Sequence, residues 1–197
     1  FLYVAFGDDG SYGGRLGNSQ RIDRDLFGGV IRIDVNNDPA RSHPPPRQPS
    51  RGKAAHYGIP NDNPFVGVPG VLGEFYAHGL RSPHRMTIDP ASKQIWLGDV
   101  GDGGHDPREE VNLIVKGGNY QWNYKEGNQD RPVYATRRAM LIGDEQPPVY
   151  EYPHANGDRC ATGGHVYGGV EHAAQLGGKY VFGDHGVGRI WAMDYRE

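Results

Sequence analysis

A short strand ending in Gly-Asp-x-Gly occurs three times in this chain, and that recurrence restricts the fold more than any other feature. Residues 2–6 (LYVAF) run into Gly7-Asp8-Asp9-Gly10. Residues 95–97 (IWL) run into Gly98-Asp99-Val100-Gly101, and residues 180–182 (YVF) into Gly183-Asp184-His185-Gly186. Each interval between successive aspartates fits two propeller blades of about 40–50 residues. A strand closing in the same turn at alternate repeats places Asp8, Asp99 and Asp184 on one face, near a ring axis. The 31 Gly, 15 Pro and 12 Tyr among 197 residues suit many short strands and turns rather than helices.

Other segments extend this reading. Residues 29–35 (GVIRIDV) alternate apolar and polar side chains, the pattern of a half-buried strand. Strands are also expected within 75–80, 85–88, 111–115, 148–152, 162–167, 179–182 and 189–193. Residues 36–53 hold five prolines and no apolar period, so they read as an exposed loop. Residues 57–65 (YGIPNDNPF) read as a compact turn, and 133–145 as room for one short helical turn. About ten or eleven strands result, enough for roughly three four-stranded blades. A closed ring of about six blades needs roughly twice this length. Phe1 stands in mid-strand, so residues 1–197 are expected to be part of a single β-propeller domain whose N- and C-terminal portions are missing.

Several functions find no support. The net charge is −3 without a basic run, which argues against a nucleic-acid partner. No apolar run approaches the roughly 20 residues of a membrane span. Cys160 is the only cysteine, so neither an internal disulfide nor a cysteine-built zinc cluster is available. H-E-x-x-H, G-x-S-x-G and the P-loop ending are all absent.

Chemistry concentrates in residues 96–122 (WLGDVGDGGHDPREEVNLIVKGGNYQW). Gly and Asp permit unusual backbone conformations, so the loop 98–104 can aim several carbonyls at one point. Converging carbonyl and carboxylate oxygens are what calcium requires. The same composition equally describes a hairpin with a solvated acidic turn. His78 and His84 flank Arg81, and His154, His165 and His185 lie in or near turns. Such histidines are more often hydrogen-bonded structural residues than bases or ligands.

Residues 57–65, 76–89, 95–122, 161–167 and 178–193 together resemble the glucose/sorbosone dehydrogenase family, with EEVNLIVKGGNY the most specific string. The resemblance implies an all-β, six-bladed β-propeller and, in many members, pyrroloquinoline quinone (PQQ) as cofactor for aldose oxidation. It places Arg81 and Ser82 where the family has an Arg-Asn pair beside the quinone. Arg81 would make a bidentate contact with a quinone carboxylate. Val100 replaces a frequent glutamine, and Glu109 joins the cofactor set. Main-chain carbonyls of Gly101 and Asp102 would hold the calcium that touches the quinone. A second calcium site would draw on Glu110, Tyr120, Glu126, Asn128 and Asp130. The family lysine has no match around Gly186, where His185 is the nearest polar residue. The general-base histidine of the family lies upstream of Phe1, so no catalytic base is assigned here.

Two functions follow from the resemblance. One is a PQQ-dependent sugar dehydrogenase acting on a sugar or other polyol, with electrons passed to an external acceptor such as a c-type cytochrome. The other is a propeller of the same family without catalysis, binding protein or carbohydrate. Either would work with the remaining blades of the full protein in the periplasm or outside the cell.

Overall fold

The computed structural model describes residues 1–10, 12–47, 56–104 and 106–195. Residues 48–53 of the expected proline-rich loop lie outside them. In chain order come β1 (Leu2–Phe6), β2 (Gly29–Ile33), β3 (Ser42–His43), β4 (Ile59–Pro60), β5 (Phe75–His78), β6 (Pro83–Ile88), β7 (Ile95–Asp99) and β8 (Arg108–Ile114). The short β9 (Gly118–Asn119), β10 (Lys125–Glu126), β11 (Gln129–Asp130) and β12 (Asp144–Glu145) follow. β13 (Tyr150–Pro153), β14 (Ala161–Val166), β15 (Tyr180–Asp184) and β16 (Ile190–Met193) complete the set. Helix is confined to short pieces, the longest a 3-10 run at Pro132–Met140 in the segment where one turn was expected.

Two compact units emerge, Phe1–Ser82 with Val115–Pro147, and Pro83–Ile114 with Pro148–Glu197. In the first, β1, β2 and β5 form an antiparallel sheet, to which β9 and β12 add two short parallel pairings. Its core gathers Ile22, Ile31, Phe65, Leu72 and Phe75. Ser42 is a correction to the exposed-loop reading of 36–53. It is buried, pairs with Pro60, and its hydroxyl donates to Asp34 Oδ2 at 3.0 Å. The buried Asp34 carboxylate supplies the reason. It also accepts from the Asn36 and Asp38 amides, so it folds the chain back onto β2.

The second unit holds two antiparallel sheets, β13-β8-β7-β6 and β14-β15-β16. Alternation puts Trp96 and Val111 on the face that meets Tyr180 and Phe182. Trp96 stacks on Tyr180 with centroids 4.4 Å apart. Burial of each such side chain contributes about 1.5–3 kcal/mol. Gly98 is required here by close approach. A Cβ on it would lie 2.5 Å from the Gly163 nitrogen in β14.

Two of the three Gly-Asp-x-Gly turns share one hydrogen-bonded device, whereas at the third the Gly101 amide donates to Glu109 Oε1. Asp8 Oδ1 accepts from the Gly10 amide at 3.0 Å, and Asp184 Oδ1 from the Gly186 amide at 2.6 Å. Both carboxylates are buried, and each uses its other oxygen to tie a distant segment. Asp184 Oδ2 accepts from the Tyr152 hydroxyl and from the Arg159 and Cys160 amides. Burial alone would raise the Asp184 carboxyl. These donors outweigh burial and hold it below the ordinary carboxylate range.

A depressed carboxyl stabilises the fold above its unfolded pKa and loses that contribution as pH falls through its folded value. Asp184→Asn is therefore expected to destabilise at pH 7 by about 1–3 kcal/mol, because an amide NH2 would face a donor. The gap to wild type should narrow below about pH 4 in urea melts. A gap independent of pH would refute the ionised cap.

Candidate functional site

In the first unit, the segment after β5 is pinned from both sides. The Asp8 amide donates to the Arg81 carbonyl at 2.8 Å, and the Leu80 amide to the Gly28 carbonyl at 2.9 Å. The Ser19 hydroxyl donates to the Leu80 carbonyl at 2.7 Å. Gly28 has φ +61 and abuts Ser19, so only glycine fits there. This lattice fixes Arg81 and Ser82 beside the turn that follows β1. The two elements enclose a cleft of about 370 Å³ lined by Phe6, Asp8, Asp9, Phe27, Arg81 and Ser82 among others. Its walls carry two phenylalanines, one arginine and Asp9, while the buried Asp8 carboxylate is taken up by the Gly10 amide and the Trp122 indole. That chemistry suits a planar polar ligand carrying negative charge opposite Arg81.

Behind the cleft lies Trp122. Its indole N–H donates to Asp8 Oδ2 at 2.8 Å, and the Arg81 guanidinium carbon sits 5.6 Å from its ring centre. Arg131 lies over the same ring at 4.4 Å. Arg137 closes the neighbouring turn by donating to the Gly14 carbonyl and to Asn123 Oδ1. Sequence reading singled out Arg81 and Asp8 but not Trp122. The only signal was its place at the end of the family-like string.

The loop after β7 belongs to the second unit. Asp99, Asp102 and Glu110 are all buried, and Asp99 pairs across the strands with Glu110. Glu110 accepts from Asn112 Nδ2 at 3.0 Å, and Asp102 Oδ1 from the Gly103 amide at 2.9 Å. Gly101 is glycine because a Cβ would meet the Arg108 carbonyl oxygen at 2.0 Å. Val100 is half-buried beside it.

Glu109 has zero exposure, with three donors on its two oxygens. Oε1 accepts from the Gly101 amide at 3.2 Å and meets His154 Nε2 at 2.6 Å, while Oε2 accepts from the Ala161 amide at 2.7 Å. Burial raises its carboxyl, and the donors pull the other way. In this structure Glu109 is a tie between the loop, β8 and the start of β14, not a group open to a ligand.

The remaining sequence-proposed calcium ligands lie in the first unit. Tyr120 is buried, and its hydroxyl accepts from the Val115 amide at 2.9 Å, while burial pushes the hydroxyl pKa well up. Glu126 and Asp130 sit on the β10–β11 hairpin, whose turn carries Asn128. Cross-strand partners share a face, so Asp130 lies with Lys125, and Glu126 projects to the other side. Asp130 is 72% exposed and paired with Lys125 Nζ at 2.9 Å. Buried Glu126 lies 3.7 Å from Arg131. The hairpin therefore separates these two carboxylates. Among the described residues, no three His, Cys, Asp or Glu side chains gather as a metal group.

Comparison with known proteins places this geometry. The family model for glucose/sorbosone dehydrogenase matches residues 53–195. The HIPL1 protein of Arabidopsis thaliana is 31% identical across 98% of this chain, which spans 28% of that protein. The crystal structure of the soluble aldose sugar dehydrogenase from Escherichia coli in its apo-form superposes with a TM-score of 0.64 at 22% identity, covering 99% of this chain and 48% of that one. The PQQ-bound form of the Streptomyces coelicolor aldose sugar dehydrogenase superposes with a TM-score of 0.58 at 19% identity, covering 99% of this chain and 42% of that one. The chain thus spans about a quarter of its curated relative and just under half of the solved structures. Its antiparallel sheets are blades of a β-propeller. With the family model matched over most of its length, the chain belongs to the glucose/sorbosone dehydrogenase family.

Proposed function

We propose that this chain is the part of a PQQ-dependent aldose dehydrogenase that orients the quinone. The observation supporting this reading is the acid- and aromatic-lined cleft beside Arg81, with the arginine's backbone fixed by Asp8. The residues fit the group, since a guanidinium at a cleft with aromatic walls suits a flat, carboxylate-bearing ring. A bound quinone would supply the hydride acceptor for the sugar carbon and the route for electrons to an external acceptor such as a c-type cytochrome. Arg81 binds and orients a carboxylate, and Ser82 offers a short hydroxyl at the cleft. Carbonyls of Gly101 and Asp102 would hold a calcium ion, with the buried Asp99 and Glu110 supplying negative potential nearby. The second calcium set that the family implies, Glu110, Tyr120, Glu126, Asn128 and Asp130, remains part of the proposal, with Asp130 engaged by Lys125.

Among the described residues no helix is long and apolar enough to cross a membrane. We place the protein in the periplasm or outside the cell, working with its remaining blades. The second reading is a propeller without catalysis that binds protein or carbohydrate. Val100, Ser82 and the fully engaged Glu109 favour it.

The test is reconstitution of the full-length protein with calcium and PQQ, followed by dye reduction with aldoses. Arg81→Ala is expected to weaken quinone binding by about 1.5–3 kcal/mol, roughly ten- to a hundredfold, the contribution of a charge-assisted contact. Chelation should lower the melting temperature of wild type and Arg81→Ala alike. Absence of both quinone binding and dye reduction in wild type would leave the binding-module reading.

A further inference from the structure

We infer that Trp122 is a positioning residue, a fixed platform that holds the Arg81 guanidinium ready for an anionic ligand. The inference rests on the proposed role of Arg81 but adds a residue outside the cleft lining. Three contacts form a closed circuit. The Asp8 amide donates to the Arg81 carbonyl at 2.8 Å, which fixes the base of the arginine. Asp8 Oδ2 accepts from Trp122 Nε1 at 2.8 Å, which fixes the plane of the indole. The guanidinium carbon of Arg81 lies 5.6 Å from that ring centre, within the range of cation–π attraction.

Trp122 is itself immobilised. It is only 4% exposed, its amide donates to the Gly79 carbonyl at 2.8 Å, and its carbonyl accepts from Gln20 Nε2 at 2.6 Å. A long arginine side chain normally gives up considerable rotamer freedom when it binds an anion. Here both ends of Arg81 are constrained before any ligand arrives, so much of that loss has already occurred in folding. Arg131, 4.4 Å from the same ring centre, adds positive potential without lining the cleft.

The experiment uses the full-length protein and PQQ as the probe, titrated by absorbance and tryptophan quenching. Trp122→Leu is expected to raise the Kd about tenfold, the scale of one immobilised side chain. Trp122→Phe, which keeps an aromatic face, should recover most of the affinity. In an Arg81→Ala background, Trp122→Leu should change nothing further, because the two act as one unit. Without ligand, Arg81→Ala should shift the near-ultraviolet circular dichroism and emission of Trp122, whereas Trp122→Phe removes that response. Equal weakening by Trp122→Leu with and without Arg81, or tryptophan spectra indifferent to Arg81→Ala, would overturn the inference. If wild type binds no PQQ, the proposed function falls. The ligand-free spectra then decide the positioning role alone, a shift upholding it and no shift overturning it.

Discussion

Glu109→Ala is expected to destabilise the fold by about 3–5 kcal/mol, because several buried donors lose their acceptor together. The side chain has zero exposure, and its deletion strands the Gly101 and Ala161 amides and His154 Nε2 together. Glu109→Gln keeps the shape but turns an NH2 toward a donor, so a smaller cost of about 1–3 kcal/mol is expected. Urea denaturation of the full-length protein measures both. The variants should also loosen the loop 98–104, seen as faster amide exchange at Gly101. A cost for Glu109→Ala under about 1 kcal/mol would mean that water enters and satisfies the donors, and that the tie is dispensable. The outcome bears on function, since Glu109 holds the Gly101 amide in the loop proposed to carry a cation.

His78→Ala should cost about 2–4 kcal/mol in the same measurement, combining a cavity with the loss of a buried hydrogen bond, while the Ser19 and Ile142 carbonyls keep the Gly79 amide and Asn119 Nδ2 as donors. His78 has zero exposure and packs against Phe65 and Phe75. Its Nδ1 lies 3.0 Å from the Ser19 carbonyl and its Nε2 2.8 Å from the Ile142 carbonyl. Burial holds the imidazole below its ordinary pKa, although both carbonyls favour the doubly protonated ring. The ring thereby joins β5 to the Ser19 turn and to the segment before β12. His78→Gln retains one donor for one of the carbonyls and should recover part of the loss. A variant as stable as wild type would show that neither carbonyl depends on the ring. His78 flanks Arg81 in sequence, yet it ends β5 and its ring faces the core, so its role is structural.

The contrast between Arg81 and His78 shows where sequence reading ends. Strand identity was legible in runs such as GVIRIDV, of which Gly29–Ile33 became β2, though it is buried on both faces and not half-buried as its alternation implied. The Gly-Asp-x-Gly turns at Asp8 and Asp184 were legible as well, since an aspartate and an amide two residues on make the turn by themselves. Family membership was legible in one string spanning β8 and β9. What the carboxylates do was not. Glu109 and Glu110 are neighbours in sequence and alternate in direction, and only the position of Ala161, 52 residues on, makes Glu109 a tie. Asp130 has the spacing of a ligand, but hairpin register turns it toward Lys125 and water. Trp122 and Asp8 are 114 residues apart, and nothing local announces their bond. Most strands and turns could be read from the chain alone, because they depend on neighbours in sequence, the Ser42–His43 and Ile59–Pro60 pair excepted. Tertiary structure alone decided which buried charges are already satisfied and which face a cleft, because a charge buried at low dielectric must find its partner wherever the fold brings one.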